Sequence, residues 1–133
     1  MGNLSLTEQL SHLHFFLATA PTNWQPHERI RRFLLPSGEH VSCVLHNNLF
    51  HITGTDIVRA LLFRFQAIGR PVRNLKKFEE GIFSDLRNLK PGVDASLETN
   101  RSEFLEWLYK HNCVRTQKKQ KVFYWFSVPW DQL

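Results

Sequence analysis

Seven consecutive residues near the C-terminus, Arg115-Thr-Gln-Lys-Lys-Gln-Lys121, carry four positive charges and no acid. Lysines at this density neutralise phosphates, while arginine and glutamine are able to make paired hydrogen bonds with the edges of guanine and adenine. A segment of Arg115, Thr116, Gln117, Lys118, Lys119, Gln120 and Lys121 therefore has the side chains needed to hold a nucleic-acid backbone and read bases. The ordinary alternative is a solvated loop, but a solubility surface would mix in Glu and Asp. If about six basic residues of the chain met phosphates, affinity would drop roughly a thousandfold over a fourfold rise in salt.

A second basic island precedes it. Between Ile57 and Phe78 there is no acid, against Arg59, Arg64, Arg70, Arg73, Lys76 and Lys77. Arg59 and Arg64 fall on the polar side of an amphipathic helix, where any charge would serve. Arg70, Arg73, Lys76 and Lys77 surround the start of the next helix at Asn74, whose free amides and dipole favour phosphate. Glu79 and Glu80 on that helix would meet a major groove badly, so its first turn is the expected contact. From Glu79 to Glu106 seven acids oppose Arg87, Lys90 and Arg101. Net charge is +5 overall, and its segregation into islands predicts an oriented field.

Other chemistries find little support. No nucleophile elbow, zinc-protease or phosphate-loop pattern occurs. Seven histidines invite a metal, but His46 and His51 lie across a turn with no carboxylate or thiolate at useful spacing. Glu79 and Glu80 are adjacent and diverge on a helix, a poor acid/base pair. Cys43 and Cys113 have no metal-ligand partners and fit a reducing compartment. We expect no enzyme, no cofactor, no small-molecule ligand and no membrane. Met1-Gly2 could begin a myristoylation signal, but nothing else in the chain calls for lipid.

One domain's worth of elements must position these residues. Ser5-x-x-Glu8 caps a first helix carrying Leu6, Leu10, Leu13 and Leu17, which ends near Ala20. Residues 21–38 read as a loop around a short piece at Glu28 to Leu35. Residues 40–53 form a hairpin turning at Asn47-Asn48. Thr53-Gly-Thr-Asp56 caps a central helix that stops at Gly69. Asn74 caps a third, with Leu75, Phe78, Ile82, Leu86 and Leu89 in phase. Residues 91–99 are a loop, and Asn100-x-x-Glu103 caps a fourth helix ending by Asn112. Val122 to Val128, dense in aromatic and β-branched residues, reads as a strand buried on both faces. Pairing it with Cys113 to Gln117 gives a C-terminal hairpin with a basic tip. The expected fold is α+β: about four helices, an internal hairpin, and a basic C-terminal hairpin acting as in a winged helix.

Longer stretches carry a resemblance. Phe15-Phe-Leu-Ala-Thr-Ala-Pro with Asn23-Trp24, Val41-Ser-Cys-Val, Ile52-Thr-Gly-Thr-Asp-Ile-Val-Arg59, Lys76 to Leu89, Arg101-Ser-Glu-Phe-Leu-Glu106 and Arg115 to Phe123 span nearly the whole chain. Through them the chain resembles the STE-type DNA-binding domain of fungal mating and filamentation transcription factors. The resemblance implies a nuclear protein acting below a MAP-kinase cascade and binding pheromone-response-type elements such as TGAAAC. It also implies a binding module from a longer protein. Lys121-Val-Phe-Tyr-Trp-Phe126 is similar as well to the centre of a homeodomain recognition helix, which would make the fold all-α. There the match breaks, because Val128 stands where the adenine-reading Asn belongs and Pro129 follows.

Three functions stay in play. The first is double-stranded DNA binding, with base contacts from Arg115, Gln117 and Gln120 and phosphate contacts from Lys118, Lys119, Lys121, Arg73, Lys76 and Lys77. The second is a protein-interaction module docking another transcription factor or repressor on the aromatic 122–130 segment. The third is single-strand or RNA binding by base stacking on those rings. Exposure of Phe123, Trp125 and Trp130 separates the last two from a core role.

Overall fold

The computed structural model describes residues 4–133; Met1-Gly2 lies outside the described residues. Its centre is a five-stranded antiparallel sheet in the order β1-β2-β3-β5-β4, comprising β1 (Ile30–Leu34), β2 (His40–His46), β3 (Leu49–Thr53), β4 (Ala95–Glu98) and β5 (Gln120–Tyr124). Four helices accompany it: α1 (Leu6–Thr19), α2 (Gly54–Ala67), α3 (Leu75–Leu86) and α4 (Glu103–Lys110). The fold is thus α+β, and the sheet overturns the all-α, homeodomain-like alternative. No helix among the described residues is long and apolar enough to cross a membrane.

Alternation along the strands sends side chains into two cores. Val41, Cys43, Ile52 and Phe123 pack with Leu13, Ile57, Leu61, Ile82 and Leu86 from α1, α2 and α3. Val44 and Val122 turn the other way, onto Phe104, Leu105 and Leu108 of α4 and onto Cys113 and Val114. Successive residues of a strand face opposite sides, so Val122 and Phe123 serve opposite layers. This is the two-sided burial that the aromatic run predicts. Burial pushes the Cys43 thiol up to about 12 and the Cys113 thiol to about 11, which leaves both as inert core groups.

Local chemistry places most boundaries. The side chains of Ser5, Thr53 and Asn74 accept the N–H groups of Glu8, Asp56 and Lys77 at the starts of α1, α2 and α3. Asn47 and Asn48 have φ of 51° and 62°, the pair of positive angles that a two-residue hairpin needs. The 20–29 loop is ordered around Arg31 of β1. Its guanidinium donates to the carbonyls of Ala20 and Asn23, grips Glu28 through Nε and Nη2, and lies over the Trp24 ring. That grip holds the Glu28 carboxyl down at about 2.

Four expectations need correction. The fourth helix is capped by Ser102, whose hydroxyl accepts from Leu105, and not by Asn100. The 91–99 segment contains strand β4. The aromatic strand ends at Tyr124 and continues as 3-10 turns at Trp125–Ser127 and Trp130–Gln132. The C-terminal hairpin does not form: β5 lies between β3 and β4, pairing Ile52 with Phe123 and Leu97 with Lys121, while residues 111–119 are irregular. Pairing β5 on both edges satisfies its backbone inside the sheet. A hairpin with 113–117 would have displaced β3 or β4 from an edge of β5 and taken Cys113 and Val114 from the α4 core.

Candidate nucleic-acid interface

The basic segment is a braced loop. It leaves the core at Cys113-Val114, both buried, and re-enters it at Val122. In between, Arg101 N–H donates to the Gln117 carbonyl at 2.8 Å, and Lys119 N–H to Asn100 Oδ1 at 2.6 Å. Lys118 N–H donates to Thr116 Oγ1, while Gln120 Nε2 donates to the carbonyls of Thr116 and Lys118. Arg115, Thr116, Lys118 and Lys119 are exposed, and Gln117 and Gln120 are half-buried. A loop held this way loses less conformational freedom when it docks, which favours affinity.

Its root is set by a polar cluster that is buried at Thr53 and Asp56 and reaches solvent at Arg59 and Arg32. Thr53 Oγ1 donates to the Cys113 carbonyl, and Arg59 Nη1 donates to the Asn112 carbonyl at 2.9 Å. Arg59 also meets Asp56 Oδ1 at 3.0 Å, and Asp56 Oδ2 accepts the Ser42 N–H at 2.9 Å. Arg32 donates to the His111 carbonyl. Four side chains and strand β2 therefore fix the 111–113 carbonyls. Arg59, assigned from sequence to a merely solvated face, acts in this network.

The second island meets the first through one ion pair. Arg115 Nη1 lies 3.4 Å from Glu79 Oε1 on α3. Lys76 is three residues before Glu79, hence its neighbour on the helix surface. Arg73, Asn74, Lys76 and Lys77 are all exposed at this end of α3, and Arg70 is exposed in the connector. Asn74 Oδ1 is engaged by the Lys77 N–H. Lys121 sits differently from its neighbours. Its Nζ donates to the Leu89 carbonyl at 2.7 Å and to the Arg87 carbonyl at 3.2 Å, closing the end of α3.

A cleft of about 440 Å3 opens beside the loop, lined by Asn100, Arg101, Tyr109, Arg115, Thr116, Gln117 and Lys118. Asn100, Arg101 and Tyr109 lie outside the set that the sequence singles out. The one available signal was Arg101 standing as an isolated base in an acidic stretch.

Most of the aromatic segment belongs to the core, whereas Phe126 is 79% exposed. Phe123 is 5% and Trp125 4% exposed, and Trp130 is half-buried against the α1–α3 core. Trp125 meets Phe16 edge to face and donates its Nε1–H to the Leu17 carbonyl. His46 and His51 pack against Phe104, with ring centroids 3.9 and 5.1 Å away, and burial lowers both pKa values. Among the described residues no group of three or more His, Cys, Asp or Glu could hold a metal ion.

Fold and site together define a small α+β domain that presents a braced, cationic loop from a sheet covered on both faces. The family model of STE-like transcription factors matches residues 14–133, and the chain belongs to that family. It is 72% identical over 95% of its length to the transcription factor MST12 of Pyricularia oryzae. It is 62% identical over 93% to the transcription factor CPH1 of Candida albicans and, at the same identity and coverage, to the protein STE12 of Saccharomyces cerevisiae. The aligned part makes up 18%, 19% and 18% of those three proteins, so the chain spans about a fifth of the relatives' length. The family is one of transcription factors and not of enzymes. No solved structure matches the chain.

Proposed function

We propose that this domain is the double-stranded-DNA reader of a longer nuclear transcription factor, recognising TGAAAC-like elements of mating or filamentation genes. The observation that supports it best is the rigid presentation of Arg115–Lys119. Guanidinium, amide and ammonium groups are held on a braced loop that the Arg115–Glu79 pair joins to the basic start of α3. In this reading Arg115 and Gln117 address base edges, while Gln120, whose Nε2 is engaged by the Thr116 and Lys118 carbonyls, has only its Oε1 to offer as an acceptor. Thr116, Lys118 and Lys119, with Arg70, Arg73, Asn74, Lys76 and Lys77, address the backbone, and Lys121 contributes charge while anchoring α3.

Titrating the domain into labelled TGAAAC-bearing and scrambled duplexes, followed by mobility shift, tests this reading. Preference for the TGAAAC duplex supports it, and equal affinity for both removes the sequence-specific part. Burial of Phe123 and Trp125 counts against docking or base stacking on those rings. Partner transcription factors or repressors, on this reading, bind elsewhere on the longer protein.

A further inference from the structure

Arg101 occupies a backbone position that does not suit it. It is third in the Thr99–Ser102 turn, which is closed by the Ser102 N–H donating to the Thr99 carbonyl at 3.1 Å, and its φ is 52°. In this left-handed region the Cβ crowds the following carbonyl, so glycine or asparagine is the easier occupant. The side chain is not engaged in the fold either: among the described residues its guanidinium makes no ion pair or hydrogen bond with another side chain or carbonyl. Yet the turn that carries it is fastened to the basic loop at two points, Arg101 N–H to the Gln117 carbonyl and Lys119 N–H to Asn100 Oδ1.

The fastening brings Arg101, Arg115 and Lys118 onto the walls of one cleft, with Tyr109 of α4 beside them and no carboxylate among the lining residues. Glu79 pairs with Arg115 from outside the cleft, but among the described residues Arg101 and Lys118 have no ion pair, so the three cations together keep a net positive charge that focuses a positive potential. At about 440 Å3 the cleft has the size of a small-molecule site, not of a single ion. That suits a phosphodiester with its flanking sugars. Arg101 supplies a planar fork of donors matched to phosphate, and Tyr109 a neutral hydroxyl.

We propose that this cleft seats a backbone phosphate of the bound duplex, with Arg101 as its principal donor. The proposal rests on the duplex-binding reading and extends it to a turn and a helix, α4, outside the two basic islands. A strained arginine retained for a ligand makes an unusual demand: its removal should weaken binding without weakening the fold.

Arg101→Gly and Arg101→Asn, each at home at this φ, are to be compared with the wild type in duplex titrations at several salt concentrations and in urea unfolding. Both variants should bind TGAAAC and scrambled duplexes about tenfold more weakly. Their salt slope should be shallower by about one, and their urea midpoint equal to or above that of the wild type. Wild-type affinity in the variants, while the wild type still binds duplex, overturns the phosphate seat and leaves the duplex reading standing. A loss of affinity matched by a lower urea midpoint overturns it too, since Arg101 is then structural. Absence of duplex binding by the wild type defeats both.

Discussion

Thr53 and Cys113, sixty residues apart, are joined by one hydroxyl: Thr53 Oγ1 accepts the Asp56 N–H at 3.1 Å and donates to the Cys113 carbonyl at 2.6 Å. The same atom starts α2 and holds the root of the basic loop, so the helix cap and the candidate interface depend on each other. Thr53→Val keeps the shape and removes both bonds. It leaves a buried carbonyl and an end-of-helix amide without partners, a loss of about 2–3 kcal/mol. Urea unfolding should show that loss, and amides of residues 113–119 should exchange faster than in the wild type. Thr53→Ser, which keeps the hydroxyl, should recover most of the stability. Exchange at 113–119 equal to that of the wild type in Thr53→Val would mean the loop is held independently of α2.

Asp56 makes a pH-dependent contribution to the same root. Burial pushes its carboxyl up to about 7, against the opposing pull of the Ser42 N–H and then the Arg59 guanidinium. The folded state therefore keeps the proton to higher pH than the unfolded chain, where an aspartic acid titrates near 3.9. A raised carboxylate favours the fold below both values and loses that advantage as pH climbs from about 4 to 7. Asp56→Asn retains an acceptor for the Ser42 N–H but does not titrate. Relative to this variant, the wild type should lose stability as pH rises through that window. Unfolding midpoints of both proteins at pH 4.5 and 7.5 measure it, and a difference that is constant or of opposite sign contradicts the assignment.

The lysines of the loop should separate into two kinds. Lys118 and Lys119 have exposed side chains, and it is their backbones that are tied down, Lys118 to Thr116 and Gln120 and Lys119 to Asn100. Replacing both with Ala should weaken binding to every duplex alike and flatten the salt slope by roughly two, with little change in stability. Lys121 is bound to the Leu89 and Arg87 carbonyls at the end of α3. Lys121→Ala should instead cost about 1 kcal/mol of stability, by losing those bonds and the favourable charge at the helix C-terminus. Salt-dependent anisotropy titrations and urea melts on the two variants should give opposite rankings. Equal rankings would show that Lys121 leaves its carbonyls for DNA.

Short-range chemistry was what the residues made legible. Ser5, Thr53 and Asn74 each have the oxygen a helix start needs, and Asn47-Asn48 has the φ tolerance of a hairpin turn, so those boundaries could be read directly. The two-sided burial of Val122-Phe123 was equally plain from composition. Partner choice was not. Period-2 burial says that β5 is central, but not that β3 and β4 flank it, because pairing depends on chain closure over distances the pattern does not encode. Ala95–Glu98 is too short to announce a strand, and β5 gives it its strand partner. For the interface, charge density located the loop. The Asn100–Arg101 brace stayed hidden because all its groups but Asn100 Oδ1 are backbone, and Arg59 was misjudged because a polar face looks alike in solvent and over a carbonyl.

The contact that sets α3 on α2 can be tested through Gly54. A Cβ placed there would stand 2.8 Å from Phe83 Cε1 and 3.6 Å from Phe123 Cε2, so the start of α2 and the ring of α3 approach as closely as a glycine permits. Gly54→Ala forces the Phe83 ring, 39% exposed, to move outward and α3 with it. The expected loss is about 1–2 kcal/mol, reduced because alanine suits a helix better than glycine. Adding Phe83→Leu removes the clashing edge and should return part of that loss, giving a favourable coupling in the double-mutant cycle. Since α3 carries Arg73, Lys76 and Lys77 at its start and Glu79 beside Arg115, Gly54→Ala should also weaken duplex binding in conditions where the protein remains folded. Additive stabilities in the cycle, or unchanged binding by folded Gly54→Ala, would separate the seating of α3 from the interface.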